Sequence, residues 1–298
     1  LEPVTYDNLS RGKRESVKWG PLEKGDIADG RKLYQTLKNC QPKAVVHLAA
    51  YAYVWESVQR PDIYYHNNVI GTISLLDVMV KAGVTDLVLS SSCSVYSNTE
   101  GQPITETSVI QPQNPYGSSK SMVEKIVADY SHSYGLRYLS LRYFNAAGAD
   151  PELDIGETRD PEPHLIPRAI MAAFGEIDAL DVYGTDFSTP DGTALRDYVH
   201  VSDLADAHVA AIDYLKHNGK SMALNLGNET AYSVREVISM VEKVTRRPVP
   251  IRFAQRRDGD PEMLVADSSK AKEVLGWRTK YSDIETIVTT ALNWHRNF

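Results

Sequence analysis

Tyr116 and Lys120 lie four residues apart, a spacing that on a helix sets both side chains on one face. A lysine ammonium beside a phenol favours the phenolate and lowers its pKa from about 10, which makes a tyrosine usable as a general base near neutral pH. Spacing alone is a weak signal. The chain has 17 tyrosines, and Tyr34 with Lys38 repeats the pattern in a segment that reads as a surface helix, where such a pair is ordinarily a solvated face. Context separates the two. Tyr116 follows the helix-opening dipeptide Asn114-Pro115 and comes after a strand ending in Ser90-Ser91-Ser92. Ligands of a parallel α/β sheet gather at the carboxyl ends of its strands, so Ser92 is placed to hydrogen-bond a substrate hydroxyl or the tyrosine oxygen. A serine run at a strand end is equally common turn chemistry.

The elements that must position these residues follow an alternating pattern. Apolar, β-branched runs at Pro3 to Tyr6, Ala44 to Ala49, Asp86 to Ser91 and Tyr138 to Arg142 read as strands covered on both faces. Between them, Asn68 to Ala82 carries Val69, Ile73, Leu76 and Val80 at helical spacing and stops at Gly83. A second helix opens at Asn114-Pro115, carries Met122, Val123, Ile126, Val127 and Tyr130, and closes at Gly135. This is the order of a Rossmann-like, doubly wound α/β fold with a parallel sheet. After Asn145 the character changes. Ala146 to His164 reads as an irregular loop, and a smaller C-terminal α/β domain follows. It has strands near Leu180 to Tyr183, Met222 to Leu226 and Val249 to Phe253, and helices at Ser233 to Val244 and Ser268 to Leu275. The division expected is 1–150 and 151–298, with segments that cross back.

At 298 residues the chain can bury a sizeable core, and 42% hydrophobic with 24% charged residues is ordinary for a globular protein. A net charge of −7 argues against a general nucleic-acid surface, while leaving room for local arginines to hold a small anion. No apolar run approaches the roughly 18 residues of a membrane span. Leu1 to Gly12 lacks the basic start and apolar stretch of a signal peptide. Two cysteines, Cys40 and Cys93, make neither a disulfide framework nor a metal site, so a reducing cytoplasm is the expected setting.

A series of short segments then carries a resemblance. They are Asp7-Asn8-Leu9-Ser10, Gly25-Asp26-Ile27, His47-Leu48-Ala49-Ala50, Asn67-Asn68-Val69-Ile70-Gly71-Thr72, Ser90-Ser91-Ser92, Pro115-Tyr116-Gly117-Ser118-Ser119-Lys120 and Arg142-Tyr143-Phe144-Asn145. The second half adds His164-Leu165-Ile166-Pro167, Tyr183-Gly184-Thr185, Asp191-Gly192-Thr193, Arg196-Asp197-Tyr198-Val199-His200-Val201 and Arg256-Arg257-Asp258-Gly259-Asp260-Pro261. In this order, from about Val4 to the C-terminus, the chain resembles the extended short-chain dehydrogenase/reductase family, and within it the UDP-glucose 4-epimerase branch. The resemblance implies an NAD-dependent enzyme that oxidises the sugar 4-hydroxyl, lets the 4-keto sugar rotate, and re-reduces it, so interconverting UDP-glucose and UDP-galactose. It implies that Tyr116 takes the hydroxyl proton, that Lys120 holds the nicotinamide ribose, and that Ser92 bonds near the reacting oxygen.

For the cofactor the resemblance implies Asp7 at the adenosine ribose hydroxyls, Asn8 among the cofactor-binding residues, Asp26 and Ile27 beside the adenine, and Leu48, Ala49, Ala50, Asn67 and Tyr143 along the cleft. Asn145, Leu165, Tyr183, Arg196, Arg257 and Asp260 would hold the UDP half. No metal is implied. Related dehydratases place an acid just after the active-site serine or threonine; Cys93 and Ser94 stand there, which argues against elimination. The alternatives are a 4-epimerase of a UDP-pentose or an N-acetylated UDP-hexose, for which Leu264 marks the place of residue bulk, and a non-catalytic nucleotide-sugar-binding scaffold. The family pattern opens with a strand, a Gly-x-x-Gly-x-x-Gly turn and a helix, none of which is found in this sequence, so the expectation is an incomplete copy of a longer chain. A homodimer is expected through the helices Asn68 to Ala82 and Asn114 to Tyr134.

Overall fold

The computed structural model describes residues 1–97, 102–257 and 260–297. Its chain forms two compact units. The first takes Leu1–Ser97, Val109–Arg142 and His208–Leu224; the second takes Asn98–Ser108, Tyr143–Ala207 and Asn225–Phe298. The chain order through the first part is β1 (Thr5–Asp7), β2 (Leu22–Lys24), α1 (Gly30–Cys40), β3 (Val45–His47), α2 (Val54–Gln59), α3 (Pro61–Tyr64), a π-helical turn (Tyr65–Ile70), α4 (Gly71–Ala82), β4 (Asp86–Ser92), α5 (Pro115–Tyr134) and β5 (Arg137–Tyr143). It continues with β6 (Asn145–Ala147), α6 (Leu165–Phe174), β7 (Leu180–Tyr183), β8 (Leu195–His200), α7 (Val201–Lys216), β9 (Met222–Leu226), β10 (Ala231–Ser233), α8 (Val234–Thr245), β11 (Ile251–Ala254), β12 (Met263–Leu264), α9 (Ser269–Leu275) and α10 (Ile284–Asn297). No helix among the described residues is long and apolar enough to cross a membrane.

In the first unit, β1 and β2 run parallel, and a four-stranded sheet has the order β3-β4-β5-β9 with β3 and β4 parallel. Six of the seven residues of β4 are buried, the signature of a strand covered on both faces. Its Leu87 and Leu89 join Leu33 and Leu37 of α1, Leu75, Leu76 and Met79 of α4, and Val123 and Val127 of α5 in one core. This is the Rossmann-like parallel α/β class the element order predicts. α4 stops at Gly83 and α5 at Gly135, both in the left-handed conformation that glycine adopts without a Cβ clash.

The helix expected from Asn68 differs at its start. Residues Tyr65–Ile70 form a π turn before α4, and the hydroxyl of Thr72, in the first turn of α4, bonds back to the Asn68 carbonyl at 2.6 Å. That back-bond competes with the regular ladder, and the wider turn accommodates it. The first strand begins at Thr5, two residues later than expected.

The second unit surrounds its own core, built from Ile166 and Ile170 of α6, Val237 and Val241 of α8, and Ile287 and Val288 of α10. Its four-stranded sheet centres on β8, flanked by β10 and β12, with β6 also pairing β8. β6 occupies the first two residues of the segment expected to be an irregular loop. β8 itself went unread because Arg196, Asp197 and His200 look like surface residues. Asp197 is fully buried and accepts backbone N–H bonds from Asn228, Glu229 and Ala266 at 2.7–3.1 Å, which satisfies its charge inside the sheet.

Leu76 is wholly buried in the first core. Leu76→Ala is expected to destabilise the protein by about 3 kcal/mol, read as a shift in the urea midpoint at unchanged slope.

Candidate active site

Tyr116 is the second residue of α5, so the position of that helix start decides where the phenol sits. Asn114 caps it, its side-chain oxygen accepting the Gly117 N–H at 2.9 Å. Gly117 matters for a second reason. A Cβ there would lie 2.1 Å from the Ser94 carbonyl oxygen, so only glycine lets the first turn of α5 rest against the loop that follows Ser92. Ser92 ends β4, nearly buried, and its hydroxyl accepts the Ser94 N–H at 3.2 Å. The edge of the Tyr64 ring meets the Tyr116 ring at 6.4 Å between centroids and 82°. Tyr64 is itself fixed by donating to the Tyr53 carbonyl at 2.7 Å.

Lys120 is where the two Tyr/Lys pairs part. The cation lies 5.9 Å from the Tyr116 ring centre, while Lys38 lies 5.7 Å from that of Tyr34 on α1, so the spacing geometry hardly differs. Burial does differ. Lys120 is 5% exposed and donates to the Ser90 carbonyl at 2.8 Å, leaving two ammonium protons for other acceptors; Lys38 is exposed. Burial pulls Lys120 down to about 8, against the pull of Glu124 in the other direction.

Residues not expected from the sequence hold this group together. Asn68 is buried; it accepts the Tyr51 N–H at 2.8 Å and donates at 3.0 Å to both the Tyr51 carbonyl and the Ser119 hydroxyl. Ser119 in turn donates to the Tyr116 carbonyl at 2.7 Å. Since the Thr72 hydroxyl gives its proton to the Asn68 carbonyl, it must accept from His47 Nε2, 2.8 Å away, which fixes that imidazole tautomer. Burial, with the Lys120 charge beside it, holds His47 down at about 3, so the ring is neutral. His47, Asn68, Thr72 and Ser119 all fall inside the short segments that carry the resemblance, which gives them no role of their own in the sequence.

A cleft at the ends of the strands gathers most of the expected cofactor residues. Asp7, Asn8, Ile27, Leu48, Ala49, Ala50 and Asn67 line it, joined by Tyr6, Ser10, Arg11, Gly12, Gly25 and Tyr51, which sequence reading missed. Asp7 accepts the Leu9 N–H at 2.6 Å, in a loop where Leu9 takes a positive φ and Gly12 approaches the carboxylate. Asp26 is not among the lining residues. Its carboxylate is engaged by Asn8 and by the Ala28 N–H, both at 2.8 Å, so it braces the loop. Arg11 bonds Glu56 at 2.7 Å and lies 4.8 Å over the Tyr51 ring, closing one wall.

The remaining expected residues lie in the second unit. Arg196 pairs with Asp260 at 2.5 Å and donates to the Leu195 and Pro261 carbonyls. Asn145 on β6 donates to the Asp197 carbonyl at 2.9 Å, and Leu264 on β12 registers with Arg196. Arg257 lies 3.8 Å over the Tyr183 ring, and the Asp260 N–H bonds the Arg257 carbonyl, which links the two arginines through Asp260. Asp258 and Gly259 of that motif lie outside the described residues. Leu165 starts α6, and Tyr143 ends β5.

Two outcomes follow from this geometry. Gly117→Ala is expected to displace the start of α5 and lower turnover by roughly 100-fold, measured as kcat with folding checked by circular dichroism. Folding keeps His47 neutral while the unfolded chain takes up its proton below the usual 6.5, so stability falls as pH drops from about 6.5 toward about 3. Between pH 6.5 and 5 the wild type should lose about 2 kcal/mol more than His47→Gln, as read by urea unfolding at the two pH values.

Residues 5–290 match the family model described as GDP-mannose 4,6 dehydratase. The chain is 50% identical over 294 residues to the UDP-glucose 4-epimerase of Rhizobium meliloti, covering 99% of this chain and 89% of that one. The crystal structure of UDP-glucose 4-epimerase from Brucella ovis in complex with NAD superposes with a TM-score of 0.96 at 49% identity, over 98% of this chain and 90% of that one. The Bifidobacterium longum enzyme in complex with NAD+ and UDP gives 0.92 at 36% identity, over 99% and 90%. By sequence and by fold, the chain belongs to the UDP-glucose 4-epimerase family.

Proposed function

We propose that this chain interconverts UDP-glucose and UDP-galactose with NAD as a resident cofactor. The observation that carries the reading is the buried Lys120, fixed on the Ser90 carbonyl one turn after Tyr116 and at the strand end that Ser92 closes. The cleft's chemistry fits the cofactor. A carboxylate at Asp7 suits a ribose diol, apolar Ile27, Leu48, Ala49 and Ala50 suit flat rings, and the spare Lys120 protons suit the second ribose. Bound there, NAD supplies the site that accepts and returns hydride at the sugar C4.

The chain's own residues do the rest. Tyr116 takes the proton from the 4-hydroxyl oxygen and later returns it, and Ser92 donates a hydrogen bond to that oxygen. Lys120 holds its charge beside the phenol and orients the cofactor ribose. We assign the UDP half to Asn145, Leu165, Tyr183, Arg196, Arg257 and Asp260 of the second unit. Arg196 offers its free N–H edge to a phosphate, and the Tyr183 ring offers an aromatic face. Asp260 already offsets part of the Arg196 charge, which suits a diphosphate held tightly enough to stay and loosely enough to leave. The assignment of 1–150 to cofactor and 151–298 to UDP-sugar follows the same reading.

A homodimer and a cytoplasmic setting belong to this proposal. Ile70 at the head of α4 and Met122 on α5 are about half exposed, apolar contacts for a second copy. Cys40 is an exposed free thiol, which suits a reducing compartment. Light scattering at micromolar concentration should read twice the chain mass.

Tyr116→Phe is expected to lower kcat at least about 100-fold while NAD is still released on denaturation. Retained turnover in that variant would sink the assignment. In the wild type, kcat should fall as pH rises through about 8, where Lys120 loses its proton, measured by interconversion of UDP-glucose and UDP-galactose from pH 6 to 10.

A further inference from the structure

Behind Ser92 lies a buried charge pair with no part in the chemistry described so far. Glu124 sits four residues after Lys120 on α5. Its carboxylate accepts the Ser91 hydroxyl proton at 2.5 Å. It also takes Arg142 Nε at 2.9 Å and the terminal Arg142 nitrogen at 2.5 Å, a two-pronged grip from β5. The other terminal nitrogen of Arg142 donates to the Tyr96 hydroxyl at 2.6 Å, in the loop beyond Ser92. The side chains of Arg142 and Glu124 are 5% and 11% exposed.

A buried pair of this kind is a poor source of stability, because two charges lose their water for one attraction. Its placement is better explained by geometry. Successive residues of the β4 end are held by successive turns of one helix: Lys120 takes the Ser90 carbonyl, and Glu124 takes the Ser91 hydroxyl. Ser92 is the next residue. The same carboxylate ties α5 to β5 through Arg142 and, through Tyr96, to the loop on which Gly117 rests.

We propose that Glu124 is a positioning residue for the epimerase reaction, pinning the Ser90–Ser92 strand end to α5 and setting a carboxylate charge one helical turn from the Lys120 ammonium. The inference rests on the proposed function for its kinetic arm only. The charged and titratable groups facing Lys120 are Tyr116 and Glu124 on α5 and His47 on β3, with Arg142 of β5 and Tyr96 behind the carboxylate. His47 is neutral, so Glu124 is the group among these that favours the ammonium, in line with its pull on Lys120. Replacing it by glutamine leaves the Arg142 charge unbalanced nearby and turns both effects against Lys120.

The test uses the full chain with its bound cofactor. Lysine labelled with 15N at Nζ and 13C at Cε lets the Lys120 titration be followed by NMR, alongside kcat and KM for UDP-glucose. Glu124→Gln should lower the Lys120 midpoint by about one pH unit or more, move the alkaline fall in kcat with it, and cut kcat at least about 10-fold with KM within about 2-fold. Glu124→Asp should recover part of both. The double variant Glu124→Gln with Arg142→Met guards against misfolding from a lone buried arginine, and it should keep the lowered midpoint and low kcat. An unchanged Lys120 midpoint in either glutamine variant, or wild-type kcat in the double variant, would overturn the proposal. A lowered midpoint in a protein whose wild type does not turn over UDP-glucose would instead count against the proposed function and leave the role of Glu124 standing.

Discussion

The close approach of α5 to the loop after β4 governs the rest of the site. Helix and strand are built by ordinary means, a capped start at Asn114 and a run of buried residues from Asp86, and either would form without the other's chemistry. What lets the helix start rest on the loop after the strand is the missing Cβ at Gly117, which lets backbone meet backbone at the Ser94 carbonyl. Once that contact is made, the helix phase places Lys120 at the Ser90 carbonyl and Glu124 at the Ser91 hydroxyl. One glycine thus sets the register of Tyr116, Lys120 and Glu124 against the strand end.

The second theme is charge kept out of water. His47, Lys120, Glu124 and Arg142 all sit in or next to the first core, and their states are interlocked. The imidazole is neutral because it is buried beside a cation. The cation survives burial because a carboxylate lies one turn away. That carboxylate is held by a guanidinium whose own burial would lower its proton affinity but for its bonds to Glu124 and Tyr96. Taken singly each would be an expensive defect; together they form a network in which every charge has a partner. The second unit solves the same problem differently, where Asp197 relies on three backbone N–H groups rather than a counter-charge.

Much of this was legible in the sequence, because the parallel strands are apolar runs and the helices close on glycine. Ile73, Leu76 and Val80 mark α4, and Met122 to Tyr130 mark α5, by periodicity alone. The short motifs placed Asp7, Asn8, Ile27 and Leu48 to Ala50 in one group, and they line one cleft. Periodicity failed where polar residues are buried. β8 was not read as a strand since its polar members look solvent-facing, and their satisfaction by distant backbone is invisible in a linear string. Asn68, Ser119 and Thr72 fall inside the motifs, yet their roles are hidden for the same reason: each is common on surfaces, and only the folded chain brings the Asn68 amide to Tyr51 and Ser119. Pairing of Arg196 with Asp260 likewise joins residues more than sixty apart in sequence.

The π turn at Tyr65–Ile70 has a bearing on how this segment can vary between related chains. Each residue of an α-helix advances the chain by about 100°, and a π turn holds one residue more than the α turn it replaces. Loss of a single residue there would restore a regular helix but swing Asn68 about a quarter of the way round its axis, away from Tyr51 and Ser119. Lineages should therefore exchange side chains in this stretch freely on its exposed positions, such as Ile70, yet conserve its length to the residue. Gaps in an alignment would fall in the loops on either side and avoid these six positions.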